Sequence, residues 1–356
     1  KASIQLADLR RIGPLFDGFS PTGAADIGYA GKLDFLTGGF DGNLLATTRD
    51  LGTGIDRLDP FLKGEARLGA KIRRDETGLS LGEVELRAAS VSAVFDAFLG
   101  PDQHRLDLKA EFADLSIIAP DLGGKGQLAA NFQGSFRSSD GKATLESDSG
   151  IAVSLTGRVG DQFDLAFSVT ELPLELVNEI APDLGLQGRV DGSGKIIGPR
   201  NNPLINFDAV AKGVTATALT DLKLGRLDGK AAGSWQNGLL QLDTISASDG
   251  GGLSASGKGA LDTNQRHIDM QVDGSAPLGL ANRFLAGSNM LVSGEARFDL
   301  AIAGSFELPQ ITGSGRIANA LVALPDYNVN LGGLAADLVF EGQSVRIVSA
   351  NADVRG

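Results

Sequence analysis

The chain has no cysteine, two histidines and one tryptophan among its 356 residues. Without cysteine, disulfides and thiolate metal ligands are excluded; a cysteine-free chain fits an oxidising compartment without requiring one. Basic residues are few, with 32 Lys and Arg against 44 Asp and Glu and a formal net charge of -12. No Lys/Arg cluster could neutralise a track of phosphates, so nucleic acid is not an expected partner. No apolar run approaches the roughly 20 residues needed for a helix to span a bilayer, so no transmembrane segment is expected, and Lys1 does not open a signal peptide. The sequence stops at Ala352-Asp-Val-Arg-Gly356, where a strand pattern is still running, and it reads as an internal fragment of a longer protein.

Glycine, in contrast, is plentiful: 49 residues, about twice the usual share. Aliphatic residues remain common and no low-complexity tract is present, which excludes collagen and simple disorder. Glycine is therefore read as punctuation between strands.

Apolar and polar residues alternate from one end to the other, the period of a strand with one wet and one dry face. Leu106, Leu108, Ala110 and Phe112 interleave with Asp107, Lys109 and Glu111. Ile151, Val153, Leu155 and Val159 do the same, followed by Phe163, Leu165, Phe167 and Val169, then Ala296, Phe298, Leu300 and Ile302, then Leu338 and Phe340. Tight hairpins are expected at Asp41-Gly42, Asp140-Gly141, Asp228-Gly229, Asn237-Gly238 and Asp249-Gly250, because Asn, Asp and Gly tolerate the positive φ such turns need.

A degenerate repeat runs beneath this pattern. Ile12-Gly-Pro14-Leu-Phe16, Leu58-Asp-Pro60-Phe-Leu62, Ile118-Ala-Pro120-Asp-Leu122 and Ile180-Ala-Pro182-Asp-Leu184 share one form, with prolines 46, 60 and 62 residues apart. A fifth unit around Pro277 to Gly287 leads into Gly294-Glu-Ala-Arg297, a copy of Gly64-Glu-Ala-Arg67. The segment Leu172-Pro-Leu-Glu-Leu-Val-Asn-Glu-Ile180 has helical apolar spacing, so each unit is expected to open with a short helix. Tandem units of this kind stack, each burying its apolar face against its neighbours. Approximate units are 1–50, 51–110, 111–170, 171–274 and 275–356, within one continuous segment. The alternative is an ordinary β-sandwich or barrel, which rarely carries such tandem copies.

Motifs with catalytic potential fail on context. His104 and His267 lack partners at metal-ligand spacing and are read as solvated turn residues. Gly78-Leu-Ser-Leu-Gly82 matches a nucleophile elbow but lies in a strand pattern with no helix behind it. Ser139-Asp-Gly-Lys142 matches an acylating Ser-x-x-Lys pair, yet Asp140-Gly141 reads as a turn. Gly192-Ser-Gly194 with Gly198 misses the dinucleotide spacing, and Ser248-Asp-Gly-Gly-Gly252 occurs once where calcium-binding repeats recur. Trp235 precedes a turn and is read as a packing or edge residue. The expectation is a protein that is not an enzyme and has no catalytic, cofactor-binding or metal site.

Leu172-Pro-Leu-Glu-Leu, Gly188-Arg-Val-Asp-Gly-Ser-Gly194, the Gly198 to Pro203 linker, Gly233-Ser-Trp-Gln-Asn-Gly-Leu-Leu-Gln-Leu242 and Leu253-Ser-Ala-Ser-Gly-Lys-Gly-Ala-Leu261 follow one another in an order that resembles the TamB family. This family is related to AsmA-like proteins and supplies the inner-membrane-anchored subunit of the bacterial translocation and assembly module. The order recurs at Gly294, Gly304-Ser-Phe-Glu-Leu-Pro309 and Gly313-Ser-Gly315. The resemblance weakens before about residue 110, and the family's anchor and partner-contacting domain have no counterpart in this sequence. It implies a long β-sheet in the periplasm of a Gram-negative bacterium, acting in outer-membrane biogenesis. Family members are associated with passage of phospholipid between membranes and with assembly of β-barrel proteins and autotransporters alongside an Omp85-type barrel.

The expected fold is mostly β: an elongated, repetitive antiparallel sheet curled lengthwise into an apolar-lined trough, with short helices at repeat starts. Its expected lipid-facing residues are Leu106, Leu108, Phe112, Phe132, Phe163, Leu165, Phe167, Phe298, Leu300, Ile302, Leu338 and Phe340. The expected cargo is phospholipid acyl chains; unfolded outer-membrane protein held by β-augmentation is the alternative, and a passive surface solenoid is a third.

Overall fold

The alternating runs form strands, each pairing with its sequence neighbours. In the computed structural model, which describes residues 1–11, 21–54, 59–135, 137–179, 182–283, 285, 287 and 289–355, the chain is mostly β and its paired strands are antiparallel. Contacts divide it into one unit of Lys1–Leu172 with Ile196–Asn201 and another of Pro173–Lys195 with Asn202–Gly356.

The first unit carries β1 (Ala2–Leu6), β2 (Thr22–Asp34), β3 (Gly39–Gly52), β4 (Glu65–Asp75), β5 (Gly78–Arg87), β6 (Val91–Leu99), β7 (His104–Phe112), β8 (Gly126–Ser135), β9 (Ser138–Ser147), β10 (Ala152–Gly160) and β11 (Gln162–Pro173) in a single meander. Strand β12 (Gln187–Pro199) is divided between the units. The second unit continues in the same way through β13 (Leu204–Thr215), β14 (Leu227–Gln236), β15 (Leu239–Ser248), β16 (Ser254–Asp262), β17 (His267–Pro277), β18 (Leu291–Ser305), β19 (Pro309–Leu324), β20 (Val329–Gly342) and β21 (Ser344–Arg355). Neither meander closes: among the described residues β1 pairs only with β2, and β21 only with β20.

Within each unit, strict antiparallel order places the connections after odd-numbered strands at one rim and those after even-numbered strands at the other. The helical segments obey this parity. Asp59–Leu62 follows β3, Leu115–Ile117 and Pro120–Leu122 follow β7, and Leu174–Glu179 with Pro182–Leu184 follow β11. The α-helix Thr217–Asp221 follows β13, Leu278–Arg283 follows β17, and Pro325–Tyr327 follows β19. Apart from the α-helix Thr217–Asp221 these are 3-10 turns; those beginning at Asp59, Leu115, Leu174 and Leu278 stand at the repeat starts where short helices are expected, whereas Thr217–Asp221 and Pro325–Tyr327 fall inside units. The copy at Ile12 to Phe16 lies outside the described residues, as do Leu58, Ile180 and Ala181.

These turns cap the helical rim with apolar side chains. In the first unit Phe61 and Leu62 are buried with Val91 against Leu51, Leu86, Phe112, Ile117 and Ile118, and the rings of Phe61 and Phe112 lie 5.0 Å apart. Leu115 is buried over Gly126, whose missing Cβ leaves the space that the leucine occupies.

Bulges bend the strands. Register shifts fall at Gly69/Lys71, Leu81/Val84, Leu242/Ile245 and Ile317/Ala320. Several of the buried strand residues lie there: Val84 at 2 %, Leu242 and Ala70 also buried, and Ala320 at 0 % exposure. An extra residue on one strand increases local bend and twist, which turns its apolar neighbour inward. Glu83 and Asn319 take the left-handed conformation at two of these bulges, and the Glu83 amide donates to Asp96 Oδ1 at 2.9 Å.

Among the described residues no second layer seals the apolar face of either unit. The chain exposes 21707 Å², whereas two separate compact globules of half its mass would together expose about 16,000 Å². A β-sandwich would meet the smaller figure.

Candidate functional site

Cross-strand partners point to the same side of a sheet, so the register decides which apolar residues share a surface. In the first unit one row runs Ala97, Leu106, Phe132, Gly141, Gly157, Leu165. The next runs Phe95, Leu108, Ala130, Ala143, Leu155, Phe167. Phe163 and Phe112 lie on the same face nearer the two rims. In the second unit Phe298, Gly315 and Leu338 form one row, Leu300, Gly313 and Phe340 the next, and Ile302 with Ile311 a third. The register therefore gathers the expected residues of each unit onto one face.

That face is the enclosed one. Alanine makes the comparison free of side-chain size: Ala130, beside Leu108, is 9 % exposed, while its chain neighbour Ala129, beside Lys109, is exposed. In the second unit Ala301 and Ala303 are exposed on the polar face, and Ala336 is buried on the apolar one. On a flat sheet the two faces would screen a methyl group equally. The apolar side is thus partly wrapped, and eleven of the twelve expected residues are half-buried, with Leu165 buried.

Aromatic rings on this face lie down over glycines. A Cβ added at Gly141 would stand 2.3 Å from Phe132 Cδ1, one at Gly274 would stand 2.8 Å from Phe298 Cζ, and one at Gly315 would stand 3.2 Å from Phe340 Cε2. Glycine seats of this type let a ring cover the neighbouring strand. They also correct the reading of glycine as punctuation. Asp41-Gly42, Asp140-Gly141 and Asp228-Gly229 are not hairpin turns but lie inside β3, β9 and β14, where glycine is needed for space: Gly42 faces the ring of Tyr29 and Gly141 that of Phe132. Ser139 to Lys142 is accordingly strand as well. Asn237-Gly238 and Asp249-Gly250 do form turns, with φ of 48°, 80° and 67° at Asn237, Gly238 and Gly250.

Two residues are placed differently from expectation. Phe112 faces the apolar side but packs under Phe61 in the capped rim, so its ring serves the core there. His104 is not a solvated turn residue: it opens β7, faces the apolar side opposite Leu99 and Gly134, and has both imidazole nitrogens shielded from solvent. His267 is exposed at the start of β17, and Trp235 is exposed at the end of β14.

The apolar rows form an open surface and not a closed pocket. Phe298 borders a hollow of about 860 Å³ whose lining sets Val210, Ala247 and Ala255 beside the charged Lys212, Lys230, Asp273 and Arg297. On the outer side, Arg316 and the Ser349 hydroxyl hold the Asp337 carboxyl below its ordinary range, and Arg346 does the same for Glu341. Such a surface offers apolar chains a place away from water while its reverse side stays hydrated.

Sequence reasoning missed one positioning device. Asn178 donates from Nδ2 to the Leu186 carbonyl at 2.8 Å and accepts at Oδ1 from the Leu186 amide at 2.9 Å. Asn282 repeats this with Val292, at 2.9 and 2.7 Å. Each asparagine ties a rim turn to the chain just ahead of the next strand or at its start. The signal was present as Pro-Leu-x-Leu-x-Asn, at Pro173 to Asn178 and Pro277 to Asn282.

No protein-family model, curated protein or solved structure matches this chain.

Proposed function

We propose that this chain is a segment of a periplasmic conduit in outer-membrane biogenesis that carries phospholipid acyl chains along its apolar face, as the resemblance to the TamB family implies. The observation that carries the reading is the partly wrapped apolar face of each unit, lined by Leu106, Leu108, Phe132, Phe163 and Phe167 in the first and by Phe298, Leu300, Ile302, Leu338 and Phe340 in the second, none of them exposed and none sealed by a second layer among the described residues. An acyl chain in water loses about 0.8 kcal/mol per methylene relative to an apolar setting, so a two-chain lipid crossing unaided meets a barrier of tens of kcal/mol. An apolar strip lowers that barrier. Rings lying flat over glycines keep the strip shallow and leave room above it. Inner-membrane anchoring and contact with an Omp85-type barrel belong to the proposal through the resemblance alone.

The test is photo-cross-linking of lipid to a probe at Ile302, together with mass spectrometry of lipid that co-purifies with the chain. Phe298→Asp or Leu300→Asp is expected to abolish both signals while circular dichroism stays that of the parent. Asp299→Asn, on the opposite face, is expected to leave them unchanged. Undiminished cross-linking in Phe298→Asp refutes the reading.

A second reading, a holder of unfolded outer-membrane barrel strands, is favoured by β21. Its outer edge carries no partner strand among the described residues, and Val345, Ile347 and Val348 are exposed on it. Such an edge accepts an added strand. Cross-links from β21 to nascent barrel strands, without lipid on the apolar face, would favour it over the first.

A further inference from the structure

The turn between β2 and β3 presents two large apolar side chains to solvent. Phe35 is 90 % exposed and Leu36 is 98 % exposed. Large apolar groups are ordinarily tucked against something, and an exposed cluster is a sign of a binding surface. The turn itself is firmly built. Asp34 Oδ1 accepts from the Leu36 amide at 2.9 Å and the Thr37 amide at 3.4 Å, the Gly38 amide donates to the Asp34 carbonyl at 2.9 Å, and the Gly39 amide donates to Thr37 Oγ1 at 3.3 Å. Phe35 and Leu36 are therefore held outward at the apex.

The surroundings narrow the partner. Between this turn and the next one on the same rim, at Asp75 to Gly78, lies an open notch of about 1190 Å³. Its lining holds Lys32, Arg73 and Arg74 together with Asp34, Asp41, Asp75 and Glu76. Asp41 stands across from Lys32 on one side and Arg73 on the other. Cations and anions are nearly balanced there, on a chain whose overall charge of -12 repels anionic surfaces. Two side chains are too few for a stable protein interface, which takes about 800 Å² per partner. They suffice for an apex that dips into a bilayer, where apolar groups enter the acyl boundary and polar flanks remain at headgroup level.

We propose that the Phe35–Leu36 turn inserts into a zwitterionic phospholipid bilayer, with the mixed-charge notch beside it receiving headgroups: guanidinium against phosphate, carboxylate against the ammonium group. The contact is made by the turn and does not depend on the apolar face of the sheet.

Co-sedimentation of the full chain with phosphatidylcholine vesicles tests it. Binding is expected, and Phe35→Ser with Leu36→Ser should weaken it by about tenfold or more per side chain. Since both side chains already face solvent, circular dichroism should not change. In a Trp235→Phe background, Phe35→Trp should show a blue-shifted emission on vesicles and quenching by brominated acyl chains. Raising the salt concentration should weaken binding only slightly and not release the chain, because insertion drives it and the exposed ion pairs of the notch contribute little. Phe298→Asp should bind vesicles like the parent, which separates this contact from lipid passage along the sheet. The proposal falls if the parent chain does not sediment with vesicles, if the double serine variant binds equally well, if the introduced indole stays fully hydrated, or if salt releases the chain. It also falls if the serine substitutions abolish self-association in lipid-free buffer in place of vesicle binding, since the occupant would then be a second copy.

Discussion

Replacing Asn282 with alanine should loosen one rim of the second unit by about 2–3 kcal/mol. The side chain makes two hydrogen bonds to a single half-buried residue, Val292, at 2.9 and 2.7 Å. Each contributes about 0.5–1.5 kcal/mol net, and alanine also strands an amide and a carbonyl away from full hydration, which adds to the loss. Asn178→Ala removes the equivalent pair at Leu186 and should cost the same. Strands β12 to β17 separate the two sites along the chain, so the effects should add in the double variant. Asn282→Asp is more specific: it keeps the acceptor for the Val292 amide but sets a carboxylate against the Val292 carbonyl. Its deficit should shrink on acidification, when the protonated carboxyl can donate again. Because stacked units open locally, the assay is hydrogen exchange at Val292 and in β18, alongside denaturant unfolding. A change under about 0.5 kcal/mol, or protection lost equally across β2 to β7, would refute the account of Asn282 as a local tether.

Gly141→Ala should destabilise by about 1–3 kcal/mol, since a Cβ there meets the Asn131 carbonyl and the Phe132 ring at 2.3 Å. Gly225→Ala, where nothing lies within 4 Å, should be neutral or slightly stabilising in the same thermal melts. Phe61→Ala empties the capped rim beneath Phe112 and should cost about 3–5 kcal/mol, seen as early local exchange around Asp59–Leu62. Asp337 has a pKa lowered by Arg316 and Ser349, so its contribution is present above the ordinary carboxylate pKa and is lost as pH falls through the lower folded-state value. Titration of the Asp337 carboxyl by NMR should show a midpoint that Arg316→Ala returns towards the ordinary range, and added salt should weaken the effect.

Strand identity was legible because alternation is a local property: β7, β10, β11 and β18 follow it residue by residue, and the helical spacing of 172–180 marks the 3-10 turn Leu174–Glu179. What depends on the neighbouring strand was not legible. Asp140-Gly141 looks like a turn until Phe132 on β8 is seen to need the space above Gly141. The bulges at Leu81/Val84 and Ile317/Ala320 are set by how two strands count past each other, so the burial of Val84 and Ala320 has no signature along the chain. The apolar face was read residue by residue, except that Phe112 was expected in an open trough and is covered by Phe61, which is contributed by another repeat. Asn178 and Asn282 could have been found, because the shared Pro-Leu-x-Leu-x-Asn places a hydrogen-bonding side chain at the end of an apolar turn twice.

The parity of the connections constrains how such a protein can change length. Adding or deleting one hairpin within a unit returns the chain to the same rim, travelling the same way, so every later tether and capping turn still meets its place. A single strand gained or lost would send all downstream turns to the wrong border. Variation among proteins built this way should therefore come in twos.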